Sequence, residues 1–252
     1  MHHAECPRRL MMNTAVRYAV EPTHVREVSL LGGASLTYWE QRLSTEDLIP
    51  AERGGNAQVL IIAAAMRFMG IRFTEVSFSV LLSGDGHARG QASAFLVQAF
   101  NSCRWFALSE RLFFATPYEH GDCRVSISPS PSIQLIQNGQ IVFRADMRAD
   151  SAMSHRQQLR SGEDSWEGRV FLPKRRSGSG DAGRFFFARM KGHTRAYPFL
   201  GAADVLSIKR SRAAAIFQAL LDSHFVGEEW VVREDATHGK SKTYRRPELA
   251  RR

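Results

Sequence analysis

The chain has 252 residues, 44% of them hydrophobic and 23% charged, enough for a core that needs no disulfide or metal staple. Lys and Arg outnumber Asp and Glu for a net charge of +9. The basic residues concentrate at 174–176 and from Lys240 onward, however, with no zinc-finger, RRM or helix-turn-helix pattern, so nucleic-acid binding is not expected. No apolar run approaches a membrane span, and the N-terminal MHHAECPRRLMMN lacks the continuous apolar segment of a secretory signal. Three cysteines without CxxC spacing fit a reducing compartment, and a cytoplasmic location is expected.

In chain order, residues 1–24 read as a peripheral segment. Val25 to Trp39 carries a strand interrupted by Gly32-Gly33, and Ser44 to Asp47 has the form of a helix start capped by Ser44. Val59 to Met66 (VLIIAAAM) is a continuous apolar run, a strand covered on both sides, although its three alanines also allow a short helix. Phe73 to Leu82 alternates, with Val76, Phe78, Val80 and Leu82 on one face and Glu75, Ser77 and Ser79 on the other. A turn at Gly84 to Gly86 returns the chain as a second strand, Gln91 to Phe100.

Ser102 to His120 (SCRWFALSERLFFATPYEH) reads as one amphipathic helix, capped by Ser102 and stopped before Pro117, because proline disfavours helical geometry at the residue before it. Cys123 to Ser128 alternates again until Pro129 and Pro131. Asn138-Gly139 between two alternating runs is the pattern of a two-residue type I′ hairpin turn. Further strands are expected over Trp166 to Leu172, Gly183 to Ala196, Ala203 to Ile208 and Glu229 to Arg233, with a helix over Ser211 to Phe225 capped by Ser211. The spacing thus predicts an α+β fold, mostly antiparallel, a curled sheet or barrel with helices at its mouth or flank. One domain over 25–235 is expected, followed by a basic C-terminal tail, 236–252.

Several chemistries are excluded by pattern. The nine histidines form no HxxxH, HExxH or His/Cys pairing, so no metal site is expected. Gly178-Ser179-Gly180 has no strand-to-helix setting and no GK[ST], and no GxSxG elbow occurs. What remains is Glu75 on the polar face of its strand, Arg111 on the helix, and Tyr118-Glu119-His120 after Pro117. If the polar strand face lines a cavity, a buried Glu75 has the raised pKa that suits proton transfer. On an open sheet the same residues are ordinary surface.

MRFMGIRFTEVSFSVLL at 66–82, AFLVQAF at 94–100 and SERLFFATPY at 109–118 together resemble the acetoacetate decarboxylase-like superfamily, nearest to its uncharacterised branch with Pro-Tyr in place of a Pro-Lys-Lys motif. The resemblance implies a curled double sheet or β-barrel with a central pocket for a small organic molecule. It also places a strand glutamate at Glu75 and a helix arginine at Arg111, six residues before Pro117. The family's Schiff-base lysine would fall at Tyr118 or Glu119, neither of which forms an imine, and the next lysine in the chain is Lys174. The expectation is therefore general acid/base chemistry on a small oxo- or hydroxy-acid without a Schiff-base lysine. Glu75, Tyr118 and Glu119 are the candidate catalytic residues, and Arg111 and His120 the candidate substrate ligands. No cofactor is expected, the partner is a small organic acid or apolar ligand, and self-association stays open. The alternative is a ligand-binding barrel without turnover.

Overall fold

The computed structural model describes residues 16–83, 93–148, 156–174, 183–211 and 214–246. The expected turn at 84–86 and the basic residues 175–176 lie outside them. Strand β1, Tyr18–Val20, precedes β2, Val25–Ser35, which runs straight through the two glycines. Gly32 is where β2 meets the strand start at Val226: a Cβ there would lie 2.1 Å from the Val226 carbonyl oxygen. Helix α1, Leu36–Ser44, is capped by Ser35, whose Oγ accepts from the Tyr38 N–H at 3.3 Å, so Ser44 ends the helix rather than starting one.

Strands β3, Glu52–Arg53, β4, Asn56–Phe68, and β5, Ile71–Leu82, follow. The alanine-rich run lies entirely within β4, which settles the strand-or-helix ambiguity. β4 and β5 join through a two-residue turn, Met69-Gly70, with both residues at positive φ. Strand β6, Ser93–Asn101, leads into helix α2, Arg104–Ser109, then a π-helical turn, Glu110–Phe114, ended by Ala115 in the left-handed region at φ 56°. One regular helix from Ser102 is thus corrected to a short α-helix with a widened last turn. Ser102 Oγ accepts from the Thr74 N–H instead of capping it.

Strands β7, Tyr118–His120, β8, Asp122–Ser126, β9, Ser132–Gln137, and β10, Gln140–Asp146, come next. The β9–β10 hairpin turns at Asn138-Gly139, with φ of 50° and 76°, as the Asn-Gly pair requires. The chain continues through β11, Arg160–Leu172, β12, Arg184–Pro198, and β13, Val205–Ile208, to helix α3, Ala215–Asp222. Ser211 does not cap α3; its Oγ donates to Gln137 Oε1 at 3.2 Å. Strand β14 spans Val226–Ser241 and β15 Tyr244–Arg245, so the last long strand extends eight residues past its expected end at Arg233.

The expectation of a β-barrel is corrected, because the strands form two separate sheets. An eleven-stranded sheet has the order β1-β14-β2-β4-β5-β6-β11-β12-β15, with β3 added to β4 and β7 to β6; it curls so that β14 also pairs β12. A four-stranded sheet, β13-β10-β9-β8, hydrogen-bonds only within itself. Pairing is antiparallel except for β6 with β7 and β11. The physical cause is a second apolar surface. Val28, Leu30, Ile61, Val76 and Phe78 of the large sheet pack against Ile133, Leu135 and Phe143 of the small sheet and Phe217 of α3, giving one core between two layers. Phe78 sits at its centre, edge-on to Phe100, Phe143 and Phe217 at 6.1, 5.4 and 5.7 Å. The opposite face of the large sheet carries the polar residues.

Candidate active site

Strand register builds a polar row on that face. Arg233 pairs with Glu27, Glu27 with Ala64, Ala64 with Glu75 and Glu75 with Asn101, so five residues of β14, β2, β4, β5 and β6 lie side by side. Ala64, fully buried, is a methyl group between two carboxylates. Glu27 accepts from Ser29 Oγ at 2.7 Å, Arg233 Nη1 at 2.6 Å and His238 Nε2 at 2.7 Å. Because a carboxylate only accepts, the imidazole carries its proton on Nε2. Arg233 is held in turn by Thr194 Oγ1 at 2.8 Å and Asp164 Oδ2 at 3.2 Å.

At the other end of the row the Tyr118 hydroxyl donates to Glu75 Oε2 at 3.2 Å. Glu110, the first residue of the π-helical turn, adds a second carboxylate: its Oε2 accepts from Thr116 Oγ1 at 2.7 Å and is ion-paired to Lys240 Nζ. Glu110 thus opens a widened turn, and such turns recur at functional sites. Lys240 Nζ also lies over the rings of Phe186, Phe114 and Tyr118, at 4.7, 4.8 and 5.4 Å from their centroids. Its side chain is 15% exposed and that of Glu110 is 16%, so the pair is largely withdrawn from water.

A β-bulge delivers Lys240. Between Arg233 and Ala236 the strand advances three residues while β2 advances two, from Glu27 to Val25. The extra residue reverses which positions face inward: Val231 and Arg233 before it, Ala236, His238 and Lys240 after it. The last three residues therefore share the Glu75 face although their parity in the sequence says otherwise.

The electrostatics follow from burial and from these charges. Burial, then the nearby Glu110 charge, raise the Glu75 carboxyl above the usual range, while Lys240, His238 and the Tyr118 hydroxyl act in the opposite direction. Burial beside Glu75 and Glu110 holds the Tyr118 phenol well above its ordinary value, so it stays a neutral donor. Glu27 behaves differently. Burial alone would raise its carboxyl, but the His238 hydrogen bond and Arg233 outweigh it and lower the group to about 2.

Of the residues singled out in the sequence, Glu75 and Tyr118 meet directly. Glu119 points to the other side of β7; burial raises its carboxyl, with Arg111 and a hydrogen bond from the Gln98 side chain opposing. Arg111 and His120 are exposed. No lysine directly follows Pro117, but the fold brings Lys240 from 122 residues downstream of Tyr118 to the ring of that residue. Sequence reading also missed Glu27, Glu110, Arg233 and His238. The one available signal was alternation of Ala236, His238 and Lys240, which the bulge and the polar composition disguise. Among the described residues no group of His, Cys, Asp or Glu is arranged to hold a metal ion, and no helix is long and apolar enough to cross a membrane. A hollow of about 910 Å³ lies elsewhere, around the Met69-Gly70 hairpin end of β4 and β5.

No family model matches the chain, and no curated protein matches it in sequence. Solved structures do match, over nearly the whole chain and at low identity. An acetoacetate decarboxylase from Legionella pneumophila superposes with a TM-score of 0.60 at 14% identity, covering 91% of this chain and 88% of that one. An acetoacetate decarboxylase-like enzyme from Sphingomonas wittichii gives 0.58 at 12% identity, covering 92% and 94%. The enduracididine biosynthesis enzyme MppR complexed with pyruvate gives 0.58 at 10% identity, covering 91% of each chain. The two-layer fold is therefore that of acetoacetate decarboxylase and MppR, and identity this low carries the fold alone.

Proposed function

We propose that this protein binds a small oxo- or hydroxy-acid against the Glu75–Tyr118 face and acts on it as a lyase-type enzyme by proton transfer. The observation that carries this reading is the Tyr118 Oη to Glu75 Oε2 hydrogen bond at 3.2 Å, placed beside a sequestered ammonium. A carboxyl raised above its usual range by burial is a stronger base, suited to take a proton from carbon next to a carbonyl. A neutral phenol is suited to donate to the oxyanion that then develops, and Lys240 offers a positive charge for the substrate carboxylate. That a protein of this fold was solved with pyruvate, a small oxo-acid, supports the substrate class. Arg111 and His120, exposed on the π-helical turn and at the end of β7, would draw an anionic substrate in.

A second reading is favoured by Lys240 itself. With the proton passed to Glu110, its amine would attack a carbonyl carbon, and loss of the carbonyl oxygen as water would leave an imine. The acid/base reading takes precedence because Lys240 Nζ is already engaged by the Glu110 carboxylate and three aromatic rings. Incubation with pyruvate in D2O separates the alternatives. Methyl-proton exchange that is lost in Glu75→Gln and Tyr118→Phe supports the first reading. A borohydride-trapped adduct on Lys240 supports the second. Saturable binding with neither exchange nor adduct leaves a ligand-binding protein without turnover, and no binding of any oxo- or hydroxy-acid overturns the proposal.

A further inference from the structure

The reverse face of the same three strands holds a different chemistry. Alternation that turns Glu27, Ala64 and Glu75 one way turns Arg26, Ala65 and Thr74 the other, and these three are themselves paired across β2, β4 and β5. Two residues further on, and so on the same face, Arg67 pairs directly with Arg72. Arg26, Arg67 and Arg72 all line the hollow of about 910 Å³, together with Thr74 and Ser102. All three arginines are exposed, and among the described residues none of them has a carboxylate partner. Like charges directly opposite on a sheet oppose pairing, and here two arginines face each other one pair before the turn of a hairpin whose residue Met69 carries a positive φ of 49°.

The hollow also presents the Ser102 hydroxyl. Ser102 Oγ accepts the Thr74 N–H at 2.8 Å, which leaves the hydroxyl proton free to donate. Its volume is that of a small-molecule site. A monocarboxylate neutralises one guanidinium, whereas a phosphate ester or diphosphate carries several charges and accepts from planar guanidinium forks two bonds at a time. The geometry points to a binding site for a small phosphate-bearing anion on the Arg26–Arg67–Arg72 face, back to back with the acid/base row and independent of it.

Isothermal titration of the full chain with inorganic pyrophosphate tests this assignment. Saturable one-site binding is expected, weakened roughly tenfold or more in the Arg67→Gln/Arg72→Gln double variant. The Lys209→Gln/Arg210→Gln variant, which removes the same charge from exposed positions after β13, should bind as the parent does. Thermal melts of both variants establish that the sheet is intact. Absence of saturable binding, or equal weakening in both variants, overturns the site. So does binding of a single-stranded oligonucleotide through Arg67 and Arg72, with a steep salt dependence and no pyrophosphate binding, because the face would then read a nucleic-acid backbone.

Discussion

Lys240 and Glu110, 130 residues apart in the chain, form an ion pair enclosed by Phe114, Tyr118 and Phe186. The pair ties the end of β14 to the π-helical turn and sets two opposite charges beside Glu75. Removing either charge should move the Glu75 carboxyl, in opposite directions. Lys240→Met deletes a charge that lowers it, so the pH at which proton exchange on pyruvate switches on should rise. Glu110→Gln deletes a charge that raises it, so the same limb should fall. The pH profile of exchange for both variants is the measurement; shifts of the same sign would separate this pair from Glu75.

The Glu75–Tyr118 hydrogen bond predicts a division between activity and stability. Glu75→Gln should reduce exchange by about 10²-fold or more, as expected for loss of a general base. A carboxyl raised by folding is stabilising only while protonated and costs stability as pH rises past its unfolded value, so the amide should melt no lower than the parent at pH 7. Tyr118→Phe removes one buried hydrogen bond and should cost about 1 kcal/mol, with a similar loss of exchange. Denaturant unfolding beside the NMR assay checks both.

Glu27 predicts the acid limb of the stability curve. Its carboxyl is lowered from 4.5 to about 2, so its contribution is complete above pH 4.5 and is lost as the pH falls through the folded value near 2. That contribution is of the order of 3 kcal/mol, taking 1.36 kcal/mol for each pH unit. Glu27→Gln should be destabilised at pH 7 and show a flatter dependence between pH 5 and 2. Chemical denaturation at a series of pH values tests it, and parallel curves for parent and variant would count against the assignment.

Asp204 offers a structural control away from the site. Its carboxylate accepts from Arg156 Nη1 and Nη2, both at 2.7 Å, from Trp230 Nε1 at 3.0 Å, and from the backbone N–H groups of Leu200 and Arg148 at 3.0 and 3.2 Å. Both side chains of the ion pair are almost fully buried. Asp204→Ala strands the Arg156 charge and should cost about 3–5 kcal/mol, while the folded fraction keeps its proton-exchange activity. Unfolding and activity measured on the same sample separate this effect from loss of the site.

Local chemistry in the sequence determined much of the framework. The alternation from Phe73 to Leu82 gives the face of Glu75, because residues two apart on a strand share a side, and Asn138-Gly139 gives its hairpin because both residues accept positive φ. Tyr118 was legible as a candidate because Pro117 ends the preceding turn. Only the tertiary structure decided the rest. The second sheet follows from an apolar surface that must be buried by something distant, which local periodicity does not identify. The bulge between Arg233 and Ala236 reverses side-chain parity, so a segment that reads as a basic tail becomes the inner face of β14. Lys240 reaches Tyr118 for that reason, and an arrangement of one amine, one phenol and two carboxyls is a property of register and curl rather than of any contiguous motif.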